Sequence, residues 1–404
     1  MRFLLPLLLL TWNHAQGEDW PQFLGPSRNG VYSGPAPEAA WAKSGPAMAW
    51  KISVGQGFSA PVVARGRVIL FHRQENRAIV ESLDAFTGQR IWLAEYPTLY
   101  RDDFGFDEGP RGTPAIAGNR IYTFGAEGVL QALDFASGKR VWSADFKQKF
   151  GAEKGFFGAA CSPLVEGDRV LMNVGGPNGA GVAAFDAATG KVLWTATNDE
   201  AGYSAPIATT IGGLRHALFF TRNALVDIDP ATGKVRFIFP WRSRSHASVN
   251  AATPVVAGNL IFLSASYGTG ATLLQIDGSS AKQLWASDDA LSSHYATSVY
   301  RDGYLYGYHG RQEYGQSLRA IELKTGKVQW NLDGFGAGTI TLAGDRLLLI
   351  RENGELVIAP ASPSGFKSLA RAQLLPGVVR AYPALADGKL YVRNERTLAC
   401  FKVK

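Results

Sequence analysis

The stretch "LDFASGKRVW", residues 133–142, reads as a tight turn between two strands, and the chain says it again and again. The copies are "LDAFTGQRIW" (83–92), "FDAATGKVLW" (185–194), "IDPATGKVRF" (228–237) and "IELKTGKVQW" (321–330), with a worn version, "IDGSSAKQLW", at 276–285. In each, an apolar strand ends at an acid: Asp84, Asp134, Asp186, Asp229, Asp277 or Glu322. The carboxylate is suited to accept hydrogen bonds from the turn backbone. Five copies place Gly four residues later, where a tight turn demands positive φ. Four residues beyond comes a ring: Trp92, Trp142, Trp194, Phe237, Trp285 or Trp330.

A second phrase precedes each copy: a small residue and often Pro, an apolar run, a Gly or Asp turn, then a second apolar run. "SAPVVARGRVILF" (59–71), "GTPAIAGNRIYTF" (112–124) and "AYPALADGKLYVR" (381–393) are examples among eight. Together the two phrases spell a four-strand meander with anchors about 40 to 52 residues apart, the period of a propeller blade. The eighth unit stops one strand short, while "AMAWKISV" (47–54) near the start is a strand with its own ring, Trp50, and no phrase before it. Joining them removes an open sheet edge. The sequence therefore predicts an all-β fold, an eight-bladed β-propeller of four-stranded antiparallel blades over residues 46–404, closed by the N-terminal strand. Trp50, Trp92, Trp142, Trp194, Phe237, Trp285 and Trp330 are expected to wedge between blades, each burial contributing roughly 1.5–3 kcal/mol.

The 404 residues are 46% hydrophobic and 19% charged, a globular composition. Residues 1–17 read as a secretory signal peptide: Arg2, an apolar run, then Ala15-Gln16-Gly17. The expectation is an exported protein, periplasmic or extracellular, not membrane-spanning, without an N-terminal lipid anchor and monomeric as a ring. Residues 18–45 are expected to pack across one face of the propeller. Cys161 and Cys400 fall in different repeats and are expected to stay unlinked. The net charge of +7 is spread without a Lys/Arg run, which argues against nucleic acid.

The "LDAATGKxxW" phrase resembles the tryptophan-docking repeats of pyrroloquinoline-quinone-type propellers, a group that includes quinoprotein alcohol dehydrogenases and BamB-like proteins of outer-membrane assembly. "DWPQFLGPSRNGV" (19–31) resembles the start of exported BamB-like chains. The resemblance implies either a protein-binding scaffold or a quinone with calcium over the ring centre. The enzymes carry adjacent cysteines against the quinone, which this chain lacks.

In a propeller the residues just before each inner strand ring the funnel mouth. Here they include Ser59, Arg111, Thr113, Ser162, Tyr203, Asn250, Thr253, His294, Tyr295, Arg380 and Tyr382. Arg111, Tyr203, Asn250, His294 and Arg380 are the candidate ligand contacts, since Arg suits planar carboxylates and other anions. The alternative is that these polar groups satisfy one another. Two long loops enter the same mouth, 93–112 and 143–160. Phe104, Phe106, Phe156 and Phe157 on them form a candidate partner-binding rim or a plug. Asp102, Asp103, Asp107 and Glu108 read as a solvated acidic loop or a calcium site without the twelve-residue cation-loop pattern. The histidines show no metal-ligand spacing and no nucleophile motif occurs, so neither a metal nor a catalytic residue is assigned. The first expectation is a non-catalytic scaffold for an envelope or secreted protein. The alternatives are a pyrroloquinoline-quinone-type site, with oxidoreductase activity, and a site for a carbohydrate or other polar small molecule.

Overall fold

The structure is a computed structural model that describes residues 18–41, 44–246 and 248–404. The expected signal peptide lies outside these residues. Eight sheets follow one another around a ring. Blades 1 to 7 begin at Val62, Ala115, Leu164, Ile207, Val255, Val299 and Gly338, and each supplies its own four strands. Blade 8 takes three strands from 384–402 and its fourth, Ala47–Ser53, from the other end of the chain, with Ala47 opposite Lys402 and Ser53 opposite Thr397. Because the meander alternates direction, two kinds of connection emerge on one face. These are the links between blades and the hairpins between second and third strands. The acidic turns emerge on the other.

On that turn face the repeated phrase does the docking. The Asp84 carboxylate accepts from the backbone N–H of Phe86 and Thr87 and from the Thr87 hydroxyl. Asp134 and Asp186 do the same in the next two blades. Each indole N–H then donates to the carbonyl that follows the acid of the next blade: Trp50 to Ala85, Trp92 to Phe135, Trp142 to Ala187, Trp194 to Pro230 and Trp285 to Leu323, at 3.0–3.1 Å. The same indole lies on the turn glycine. A Cβ at Gly190 (φ +72°) would sit 2.6 Å from Trp142. The glycine is thus required both by its backbone angle and by the ring above it. Blade 7 lacks the repeat turn, yet Trp330 still donates to Ser362 O at 2.8 Å and packs against Phe366.

The seam between blades 4 and 5 departs on both sides. The Phe237 ring has no N–H to donate, and the facing turn closes directly between Asp277 and Ser280, with Phe237 and Ala281 packed against one apolar cluster.

The N-terminal segment, expected across one face, enters the channel instead. Trp20 exchanges two backbone hydrogen bonds with Val63 of the blade 1 inner strand, and Pro21 O accepts from Ile116 N of blade 2. The chain turns back on itself through Gly25 and Gly30. Arg28, buried, donates to Ser162 O and Pro163 O at the entry of blade 3. Val31–Tyr32 then leaves as a fifth, parallel strand on blade 7. One hairpin thereby ties the inner strands of four blades, and the channel is closed.

Candidate functional site

Above this hairpin the mouth opens into a cavity of about 700 Å³. Its wall includes Arg111, Tyr203, His294 and Arg380, and all four phenylalanines of the two long loops. The two expected sites, funnel contacts and rim, are one place.

The aromatic wall is built by loop geometry. Asp102, with its side chain buried, accepts from the N–H groups of Phe106 (2.8 Å) and Asp107 (3.1 Å). Asp107 accepts from Gly109 N and, across the blade junction, from Gly57 N. These carboxylates fold the loop; they are not solvated, as the sequence suggested. Asp103 pairs with Lys154 at 2.6 Å and Glu108 with Arg73 at 3.3 Å. Among the described residues no three His, Cys, Asp or Glu side chains gather to hold a metal.

The second loop carries a short helix, Phe146–Phe150, capped by the Asp145 carboxylate on Gln148 N and ended by Gly151 in the left-handed region. The spacing Asp145-x-x-Gln148 with Gly151 was the readable signal for it. The loop then brings Phe156 and Phe157 to Phe104 and Phe106. Phe104 lies 5.1 Å from Phe157, centroid to centroid, and Phe106 lies 6.1 Å from it. Phe104 and Phe106 remain 52% and 59% exposed. Tyr203 fixes this loop by accepting from Phe157 N at 2.9 Å.

Below the phenylalanines lie two guanidiniums on one ring: Arg111 and Arg380 sit 5.5 and 5.6 Å from the Phe58 centroid. Arg380 donates to Glu352 at 2.9 Å, and Tyr295 donates to the same oxygen at 2.6 Å. Arg111 is held more loosely, through one nitrogen, by Asp107 O at 3.2 Å and Asp102 at 3.4 Å. Its other terminal nitrogen is buried and has no partner among the described residues.

His294 presents a similar orphan. Its Nε2 faces Tyr267 OH at 2.8 Å, while Nδ1 is buried without a hydrogen-bond partner, 3.9 Å from Glu313. Burial pushes this histidine down to about 4, with Arg311 and Arg380 adding to the shift and Glu313 opposing it. The ring is therefore neutral near pH 7. The tautomer sets the direction of the Tyr267 hydrogen bond: when Tyr267 donates to Nε2, the imidazole proton is on Nδ1.

Asn250 does not line the cavity. Its side-chain amide donates to Thr221 O and Trp241 O at 2.9 and 3.0 Å, so it ties loops of blade 4 together. Three hydroxyls of the mouth behave in the same way. Thr113 Oγ1 accepts from Ala60 N, Ser162 Oγ from Thr113 N, and Thr297 Oγ1 from Thr253 N, a belt running from blade to blade. Mutual satisfaction holds for Thr113, Ser162 and Thr297 and fails for Ser59, Thr253, Arg111 and His294, each of which keeps a buried polar atom without a partner among the described residues.

Sequence reasoning missed Phe23, which lines the cavity from the channel hairpin. It also missed Tyr267, Arg311, Glu313 and Glu352. The last four lie on hairpins between second and third strands. Strand alternation sends those hairpins to the same face as the links, and that was the available signal.

The fold and its walled mouth define an eight-bladed propeller of the tryptophan-docking kind. Residues 76–332 match the family described as outer membrane protein assembly factor BamB, and the chain belongs to that family. No curated protein matches it. Among solved structures it resembles BamB from Moraxella catarrhalis, at 17% identity and a TM-score of 0.64, over 89% of this chain and 98% of that one. It also resembles the quinohemoprotein alcohol dehydrogenase from Comamonas testosteroni, at 16% identity and a TM-score of 0.67, over 95% and 80% of the two chains. The computationally designed Ika8 protein shares the shape at 13% identity and a TM-score of 0.57, over 93% and 99% of the two chains.

The cavity does not fit a calcium-held quinone. Its two carboxylates, Glu313 and Glu352, are each engaged by an arginine. Cys161 and Cys400 are buried in separate blades, and burial raises both thiols to about 11.

Among the described residues, no helix is long and apolar enough to cross a membrane.

Proposed function

We propose that the protein is an exported, non-catalytic propeller that binds a partner protein at the funnel mouth. The observation that carries this reading is the convergence of four phenylalanines, two of them more than half exposed, over a cavity floored by Phe58 and two arginines. Aromatic residues and Arg are the side chains that dominate binding energy at protein interfaces. The exposed Leu99 and Tyr314 widen the apolar surface around the opening. The family description, outer membrane protein assembly factor, supports an envelope protein as the partner. It equally supports the periplasm as the setting.

The test is a photo-cross-linker placed at Phe104 in cells, with Phe86 as the control. Phe86 is also exposed, but it sits on a turn of the opposite face. Cross-linking of one envelope protein from position 104 and not from 86 supports the reading. Equal labelling at both, or labelling only at 86, overturns it.

A second reading rests on the volume. A half-open space of about 700 Å³ with a few polar groups is also the size of a small-molecule site. Mass spectrometry of ligand released from denatured protein tests it.

A further inference from the structure

The docking reading leaves one question: what part of a partner enters the cavity. Three features constrain the answer.

The first is the floor. The N-terminal hairpin occupies the channel, and Phe23 lines the cavity from below while its ring packs edge-on against Tyr382 at 5.2 Å. A polypeptide therefore cannot thread through the ring. It enters and leaves by the same opening.

The second is the wall. A peptide that entered as a loop would bring several backbone N–H and C=O groups into a ring of Phe side chains. Buried peptide groups without partners are costly. A chain end brings the fewest such groups per buried side chain.

The third is the set of unused donors. The free terminal nitrogen of Arg111 and Nδ1 of His294 are both buried and unpartnered among the described residues. Their side chains are 11% and 10% exposed, and both belong to the cavity wall. The cavity's two carboxylates are each paired with an arginine, Glu352 with Arg380 (and Tyr295) and Glu313 with Arg311, while the neutral amide oxygen of Gln312 is a buried acceptor without a partner among the described residues. An incoming ammonium would find both carboxylates paired with arginines and would meet the guanidinium charge of Arg111. An incoming carboxylate finds the free N–H and charge of Arg111, and it selects the His294 tautomer with the proton on Nδ1 and Tyr267 donating to Nε2. Asp102 shares Arg111 only at 3.4 Å, through the other nitrogen.

Building on the docking reading, we propose that the mouth is a blind receptor for the carboxyl terminus of a partner protein. Its last residue, aromatic or large and apolar, lies among the phenylalanines, and its α-carboxylate lies on Arg111 and His294. Arg380, 5.6 Å from the centroid of the same Phe58 ring, adds charge. Phe23 sets the depth and therefore the size of the terminal side chain accepted.

The experiment uses the mature chain and a short fluorescein-labelled peptide ending in Phe, as the free acid and as the C-terminal amide. Fluorescence anisotropy is expected to show the acid binding about tenfold or more tighter than the amide, the scale of a lost charge-assisted hydrogen bond. Arg111→Gln should bring the ratio close to one, and Arg111→Lys should restore part of it. Phe106→Ser should weaken acid and amide alike. Equal binding of acid and amide to the wild-type protein overturns the carboxylate assignment and leaves mouth docking standing. The same holds if neither peptide binds while the cross-link at position 104 persists. Loss of that cross-link as well removes the docking reading itself. Unchanged thermal melting of the variants separates lost recognition from lost folding.

Discussion

The turn face and the mouth face of the ring are made by the same strands, and their polar groups are treated in opposite ways. On the turn face four of the six acids of the repeated phrase accept from the backbone of their own turn, and every indole N–H of the docking tryptophans reaches a carbonyl next door. On the mouth face a guanidinium nitrogen and an imidazole nitrogen are buried without partners, and two phenylalanines stand in solvent. Unsatisfied buried donors and exposed rings are costs a scaffold has no reason to keep. The difference teaches where to look: the repeat marks what holds the ring together, and its absence marks what the ring is for.

Substitutions can break this contrast. The largest loss of stability is expected for Trp142→Ala, which empties the seam between blades 2 and 3. The cost should be about 3–5 kcal/mol in urea titrations, the range for a buried Trp. Gly190→Ala should follow at about 1–3 kcal/mol, because the new methyl meets the Trp142 ring at a left-handed backbone position. Phe237→Ala should cost less than Trp142→Ala, since no indole hydrogen bond is lost at that seam. An equal loss would mean the hydrogen bond contributes little elsewhere too.

At the mouth the effect on stability is smaller and depends on pH. His294 is held neutral in the fold, while the unfolded chain takes up a proton there near the ordinary pH of about 6.5. The unfolded state thus binds more protons in this window, and stability should fall as pH drops from about 6.5 toward 4. His294→Gln should flatten that part of a melting-temperature profile. The groups facing the ring, Glu313, Arg311, Arg380, Glu352 and Tyr267, stay in place in that comparison. Smallest of all, Phe104→Ser should change stability by no more than about 0.5 kcal/mol, as for exposed positions generally. With the photo-cross-linker moved to position 314, the same change should abolish cross-linking at the mouth.

The ring was legible because repetition supplies its own check. Six copies of one phrase could be aligned against each other, and the orphan strand around Trp50 could be matched to the truncated last unit. The site was legible in part. Arg111, Tyr203, His294 and Arg380 precede inner strands, and that rule places them on the cavity wall. The same rule misplaced Asn250, whose amide turns aside to bond carbonyls of blade 4. It was blind to Tyr267, Arg311 and Glu352, which come from the hairpins of the same face. Phe23 had no periodic signal at all. Its position follows from a hairpin held by hydrogen bonds to residues far away in sequence, Val63, Ile116 and Leu342.

The pairing of Ala47–Ser53 with Thr397–Lys402 has a kinetic consequence. The contact that completes the circle joins residues from nearly opposite ends of the polypeptide, so the loop it closes is almost the whole molecule. Entropy delays such a step, and assembly rates fall as contacts become more distant along the chain. Until then the early ribbon waits with bare edges beside other bare edges. That interval is when a newly made copy is most exposed to sticking to its neighbours.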